Sequence, residues 1–159
     1  MGDDLSVTLR IMPNIKKLVI IPDVVYYYHM GGGTSKFMPD MLEDFLALYR
    51  YKNELRQQYE MDMGVKILLD IELMNVAISF LQMCRCQGKL DEKKLQEKIS
   101  KVINIPEIKT SASSLIRGGN CHYVAQWIQS NDVDSITDYV EAYYKKTRLK
   151  RIIKKLLKI

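Results

Sequence analysis

The chain has 159 residues, 47% hydrophobic and 27% charged, which suits one compact domain with a real core and is too short for two large ones. That composition excludes global disorder, and three cysteines without a C-x-x-C pair exclude a disulfide framework or a zinc site. The net charge of +5 is uneven: eight of the 24 Lys and Arg residues lie in 145–159, which has no acid, so elsewhere 16 basic residues face 19 acidic ones.

In chain order, Asp3 or Asp4 caps a short helix to about Ile11, since carboxylates favour a helix N-terminus, and Pro13-Asn14 punctuates it. Leu18–Ile21 and Val24–Met30 are β-branched and aromatic runs around Pro22-Asp23, which reads as a strand, a tight turn and a second strand. Gly31–Ser35 is a loop by composition. Pro39-Asp40 opens a helix to about Tyr59, with Met41, Leu42, Phe45, Leu48, Tyr49 and Leu55 as its apolar stripe.

Val65–Gln87 is apolar almost all the way round and is expected to be the central buried helix, ended by Gly88. Lys66, Asp70 and Glu72 interrupt its apolar run before it reaches membrane-spanning length. Asp91 caps a helix to about Ile103 lined by Leu95, Ile99 and Val102. Pro106 and the polar run Lys109–Ser114 are expected to loosen the chain. A short helix over Cys121–Gln129 carries the single Trp127, and Asp134-Ser135 caps a last long helix. The fold expected is mainly α, a helical bundle with one small β-hairpin near the N-terminus. Cys84, Cys86 and Cys121 are expected to be reduced, buried thiols.

Two motifs carry chemistry. Gly2-Asp3-Asp4-Leu5 opens the first helix, and Tyr26-Tyr27-Tyr28-His29-Met30 runs into Gly31-Gly32-Gly33-Thr34-Ser35. Alone, each is bland: paired acids cap helices, strand tyrosines pack, and a single histidine is usually structural. The glycine loop is neither a Walker A motif nor G-x-G-x-x-G, because Lys36 falls where the third glycine belongs. In order and spacing, however, the first forty or so residues resemble the C-terminal end of the catalytic domain of family 2 glycosyltransferases, which have the GT-A fold.

The resemblance implies a division into 1–37 (the end of a GT-A-like catalytic domain), 38–144 (a helical C-terminal region) and 145–159 (a basic amphipathic helix). It puts the catalytic base at Asp4, with Asp replacing the Glu of the family's E-D pair at Asp3, which would set the orientation and field of Asp4. Tyr26, Tyr28, His29, Gly32, Gly33 and Thr34 would bind substrate, and His29 is a weak metal candidate. The complete enzyme would transfer a sugar from a nucleotide-sugar donor to a glycan or lipid-linked acceptor, with Mg or Mn at the departing diphosphate. The family's D-x-D motif lies upstream of the acidic pair. Asp132-Val133-Asp134 stands downstream, where its job is capping. The isolated chain is therefore expected to be inactive and to bind no cofactor.

In 145–159, Leu149, Ile152, Ile153, Leu156 and Leu157 fall on one helix face. Lys150, Arg151, Lys154, Lys155 and Lys158, with Lys145, Lys146 and Arg148, crowd the rest. This pattern reads as an interfacial helix on an anionic membrane, or as an apolar stripe packed on the body with solvated lysines. Nucleic acid is not expected, for the stretch lacks interleaved aromatics. The acidic N-terminus is unlike a secretory signal, so the expected place is the cytoplasm, peripheral to the inner face of the membrane. The alternative function is a non-catalytic helical module that binds a membrane surface or a protein partner.

Overall fold

A computed structural model describes residues 3–17, 37–120 and 122–156. Among them are seven α-helices and one 3-10 helix, and no strand: α1 (Asp3–Ile11), the 3-10 turn Met12–Asn14, α2 (Met41–Gln58), α3 (Met63–Cys86), α4 (Glu92–Ile103), α5 (Pro106–Arg117), α6 (Tyr123–Ser130) and α7 (Val133–Leu156). The molecule is mainly α, a helical bundle. The expected hairpin of Leu18–Met30 lies outside the described residues, as does Cys121.

Helix starts follow the capping chemistry of the sequence. Asp62 accepts from the Val65 amide at 3.0 Å, and Asp91 from the Lys94 amide at 2.9 Å. The start of α7 differs from expectation. Asp132, not Asp134, is its cap: it accepts the Ser135 amide at 2.9 Å and the Ser135 hydroxyl at 2.6 Å. The Asp132 carboxyl is held below its ordinary range first by that hydroxyl. Asp132 sits three residues before its donor, the spacing at which a cap reaches an N3 amide; Asp134 is already inside the helix.

The run Lys109–Ser114 is not loose; it is the middle of α5. Pro106 is pre-organised for the first helical turn, Glu107 complements the dipole there, and Ile108, Ala112 and Leu115 form a fully buried stripe at helical spacing. A polar composition hid that period.

α3 is the hub, packing against α2, α4, α5, α6 and α7. Leu73, Met74, Ala77, Phe80, Leu81 and Cys84 are buried on it, and Leu95, Ile99, Ile108, Leu115, Ile128 and Val140 close the same continuous core from four other helices. Burying such side chains stabilises the fold by about 1.5–3 kcal/mol each relative to exposure. One face of α3 stays open, with Leu68 67% exposed. By length and composition alone, with a mean hydropathy of 1.6 over its most apolar window, α3 could cross a membrane. Here 44% of that window is buried inside the bundle.

Two anchors tie the C-terminal end of α3 to the body. Phe37 stacks on Phe80 with ring centroids 6.3 Å apart, and its amide donates to Gln87 Oε1 at 2.8 Å. Arg85 pairs with Glu141 of α7, donates to the Leu90 carbonyl at 2.9 Å and lies 4.1 Å over the Tyr144 ring. Cys84 is buried and Cys86 half-buried, both free thiols, and burial pushes Cys84 up to about 11.

Candidate functional site

Of the sequence-derived site, the acidic pair falls in the first turn of α1, which starts at Asp3. A carboxylate there is favoured by the helix dipole. α1 touches the body through Arg10, whose guanidinium lies 5.7 Å from the centre of the Tyr51 ring on α2. Tyr26, Tyr28, His29, Gly32, Gly33 and Thr34 lie outside the described residues, so the structure does not bring them to Asp4 or apart from it. Lys150, Arg151, Lys154 and Lys155 fall on the last turns of α7, and Lys158 lies outside the described residues. That helix runs without a break from Val133 to Leu156. Its last described side-chain contact with the body is Thr147 Oγ1 at 3.8 Å from Cys86 Sγ, and Lys145, Lys146 and Arg148 are exposed.

Sequence reasoning missed a polar junction where α2, α3 and α5 meet. Asp70 is fully buried in the apolar face of α3. It accepts from Lys66 Nζ, one turn earlier, and from the Tyr49 hydroxyl at 2.8 Å. With the Tyr49 hydrogen committed to Asp70, Ser111 Oγ, 2.7 Å away and also buried, donates to the Tyr49 oxygen. Burial raises Tyr49 above its ordinary phenol range, and its bond to Ser111 partly opposes that. All the groups are satisfied by one another, and the carboxylate has no opening to solvent. The junction is built to order three helices. Its one signal in the sequence was the charged pair Lys66 and Asp70, one turn apart in a largely apolar helix.

Beside it, α2 and the open face of α3 form a groove of about 530 Å³ lined by Met41, Phe45, Leu68, Ile71, Val76 and Met83, with Glu72, Asn75 and Ser79 as polar groups in its wall. At the far side of the bundle, Tyr123, Trp127 and Tyr139 cluster with ring centroids 5.1–5.7 Å apart, and His122 stacks on Tyr123 at 5.4 Å. The hydroxyls of Tyr123 and Tyr139 lie 3.0 Å apart, and that bond raises Tyr123 to about 12. His122 Nδ1 is buried without a hydrogen-bond partner, and burial lowers the imidazole below its ordinary value near 6.5. Among the described residues no three His, Cys, Asp or Glu side chains come together to hold a metal ion.

No protein-family model, curated protein or solved structure matches this chain.

Proposed function

We propose that the chain forms the acceptor-side end and helical C-terminal region of a family 2 glycosyltransferase that transfers a sugar from a nucleotide-sugar donor to a glycan or lipid-linked acceptor. The observation that carries this reading is the acidic pair Asp3-Asp4 in the first turn of a helix, followed at the family's spacing by Tyr26–Tyr28 and the Gly31–Ser35 loop. In the reaction, the Asp4 carboxylate takes the proton of the acceptor hydroxyl as that oxygen attacks the anomeric carbon, and the nucleoside diphosphate departs with the bonding electrons. Asp3 tunes Asp4, and the tyrosines stack on the acceptor sugar. In the complete enzyme a divalent cation, held by residues of the donor-binding domain, would supply positive charge at the departing diphosphate. This chain's own part is the proton transfer at Asp4.

Two measurements test the reading. Calorimetric titration of the chain alone with UDP and UDP-sugars in Mn²⁺ is expected to show no binding, because these 159 residues hold no D-x-D upstream of Asp4. Metal-dependent binding would place a donor site here and overturn it. Joined to a nucleotide-sugar domain that carries D-x-D, the chain is expected to support transfer. Asp4→Asn then lowers turnover by about 10²–10⁴-fold with UDP affinity unchanged. Turnover indifferent to Asp4→Asn removes the assignment.

A second reading, a helical module that docks on an anionic membrane surface, is favoured by the unbroken course of α7 past Thr147 into the acid-free basic stretch. Attraction of about 1 kcal/mol per basic residue near such a surface makes docking reversible. Flotation with phosphatidylglycerol vesicles tests it. Replacing Lys150, Arg151, Lys154, Lys155 and Lys158 with Gln is expected to abolish binding, and binding that survives the replacement rejects this reading.

A further inference from the structure

The flank of the bundle made by α5 and α6 holds a second concavity, of about 490 Å³, lined by Lys109, Thr110, Ser113, Ile116, Arg117 and Gln129. That volume lies within the range of small-molecule sites. Its chemistry is one-sided. Lys109, Ser113 and Arg117 are spaced i, i+4, i+8 and so share one face of α5, with the backbones of the two cations about 12 Å apart along the axis. Neither has a carboxylate partner among the described residues, whereas nearby Glu107 is already engaged by Arg50 of α2. No carboxylate lines the concavity.

The polar groups between the cations are set to donate as well. Ser113 Oγ donates to Gln129 Oε1 at 2.6 Å, which occupies the acceptor end of that side chain and leaves its Nε2 hydrogens for a ligand. The Arg117 Nε–H leans on the Ser113 carbonyl at 3.4 Å, which turns the guanidinium back along α5 and leaves its terminal nitrogens unengaged. Thr110 adds a hydroxyl on the same rim, and Ile116, 37% exposed, gives one apolar wall. A concavity whose walls offer an ammonium, a guanidinium, an amide and a hydroxyl, with no competing anion, matches a ligand rich in acceptor oxygens and carrying at least two negative charges.

We infer that this α5–α6 concavity binds a phosphoryl anion, a phosphate monoester or diphosphate, gripped between Lys109 and Arg117 with Gln129 as a third donor. The site is distinct from the acidic pair on α1 and stands whether or not the transferase reading holds. Its ligand is either a soluble phosphorylated compound or the headgroup of a lipid.

Amide-resolved NMR titration of the full chain with inorganic pyrophosphate tests it. Saturable shifts are expected at residues 109–117 and 129. Lys109→Ala with Arg117→Ala is expected to weaken binding by about tenfold or more, and Gln129→Ala by about threefold. Lys101→Ala, at an exposed lysine of α4 outside the concavity, leaves it unchanged and controls for general attraction to cations. These are surface replacements, and circular dichroism checks that the helices persist. In a parallel arm, vesicles containing phosphatidic acid are compared with neutral phosphatidylcholine vesicles. Loss of vesicle binding in the Lys109/Arg117 variant without a pyrophosphate effect identifies the lipid headgroup as the source. Shifts spread over all lysines, or no response to the double variant in either arm at about 10 mM phosphoryl groups, overturns the inference.

Discussion

Tyr49 of α2 and Asp70 of α3 meet at 2.8 Å inside the bundle, the phenol donating to a carboxylate that has no exposed surface. An apolar residue at position 70 would serve a simple core equally well. A charged one fixes which turn of α2 faces which turn of α3, because a shift by one turn would strand the carboxylate.

Asp70→Ala removes the acceptor shared by Tyr49 and Lys66, so the stability lost is expected to be about 3 kcal/mol. Tyr49→Phe, which takes away one donor and leaves Lys66 in place, is expected to cost about 1–2 kcal/mol. Urea denaturation followed by circular dichroism measures both. A loss below about 0.5 kcal/mol for Asp70→Ala would mean that the junction orders nothing.

Arg85 joins α3 to α7 and to the turn before α4 through Glu141, the Leu90 carbonyl and the face of Tyr144. Arg85→Ala is expected to cost about 2–3 kcal/mol, with charge-assisted bonds supplying most of it. Arg85→Lys recovers only part, since an ammonium cannot cover the carboxylate, the carbonyl and the ring in one plane. Equal midpoints for Arg85→Lys and the wild type in thermal melts would show that the charge alone suffices.

Gly88 follows α3, where an added Cβ would lie 2.7 Å from the Cys84 carbonyl oxygen and 3.2 Å from Phe37 Cε1. The first contact is with backbone and cannot be relieved by a rotamer change. Gly88→Ala is therefore expected to cost about 1–3 kcal/mol and to loosen the Phe37–Phe80 stack. Hydrogen exchange at the Phe37 amide, now bonded to Gln87, reads that loosening directly. Unchanged protection there contradicts the steric account.

Burial disfavours the charged form of His122 and sets its folded pKa below the ordinary 6.5. On acidification the unfolded chain takes up a proton that the folded chain resists. Stability is thus full above about pH 6.5 and falls as pH drops from there through the lower folded value. The wild type is expected to lose more Tm than His122→Asn between about pH 7.5 and about pH 5. The chain's other histidine, His29, is common to both proteins and cancels in the comparison. Parallel Tm curves would show that His122 takes no part.

The helical architecture was legible wherever apolar spacing and a capping aspartate coincided. Asp91 caps the helix that the sequence starts there, and the apolar run from Val65 marks the hub, although its cap, Asp62, was not singled out. α5 was hidden because its buried stripe of Ile108, Ala112 and Leu115 includes a small residue and is diluted by Lys109, Thr110, Ser113 and Ser114. The polar junction was beyond reach for another reason. Asp70 bonds residues 21 positions behind and, through Tyr49, one in α5, and nothing local in the chain encodes such a meeting. Of the candidate catalytic motif, the helix carrying Asp3 and Asp4 was legible from its acids and the punctuation at Pro13-Asn14.

The placement of Asp70 also bears on the order in which the protein is made. Its partner Tyr49 leaves the ribosome first, but Ser111 is 41 residues later in the chain. At about 5–20 residues per second, Ser111 is synthesised roughly 2–8 s after Asp70. Throughout that interval the 24-residue, largely apolar α3 waits without α5, one of the helices that pack on it. By length and mean hydropathy alone such a segment meets the minimum for crossing a bilayer, and only its companions in the bundle give its apolar side chains another place to go. Until α5 is made, the side of α3 that it covers has no partner within the bundle, so the closing of the core must wait for the second half of the chain.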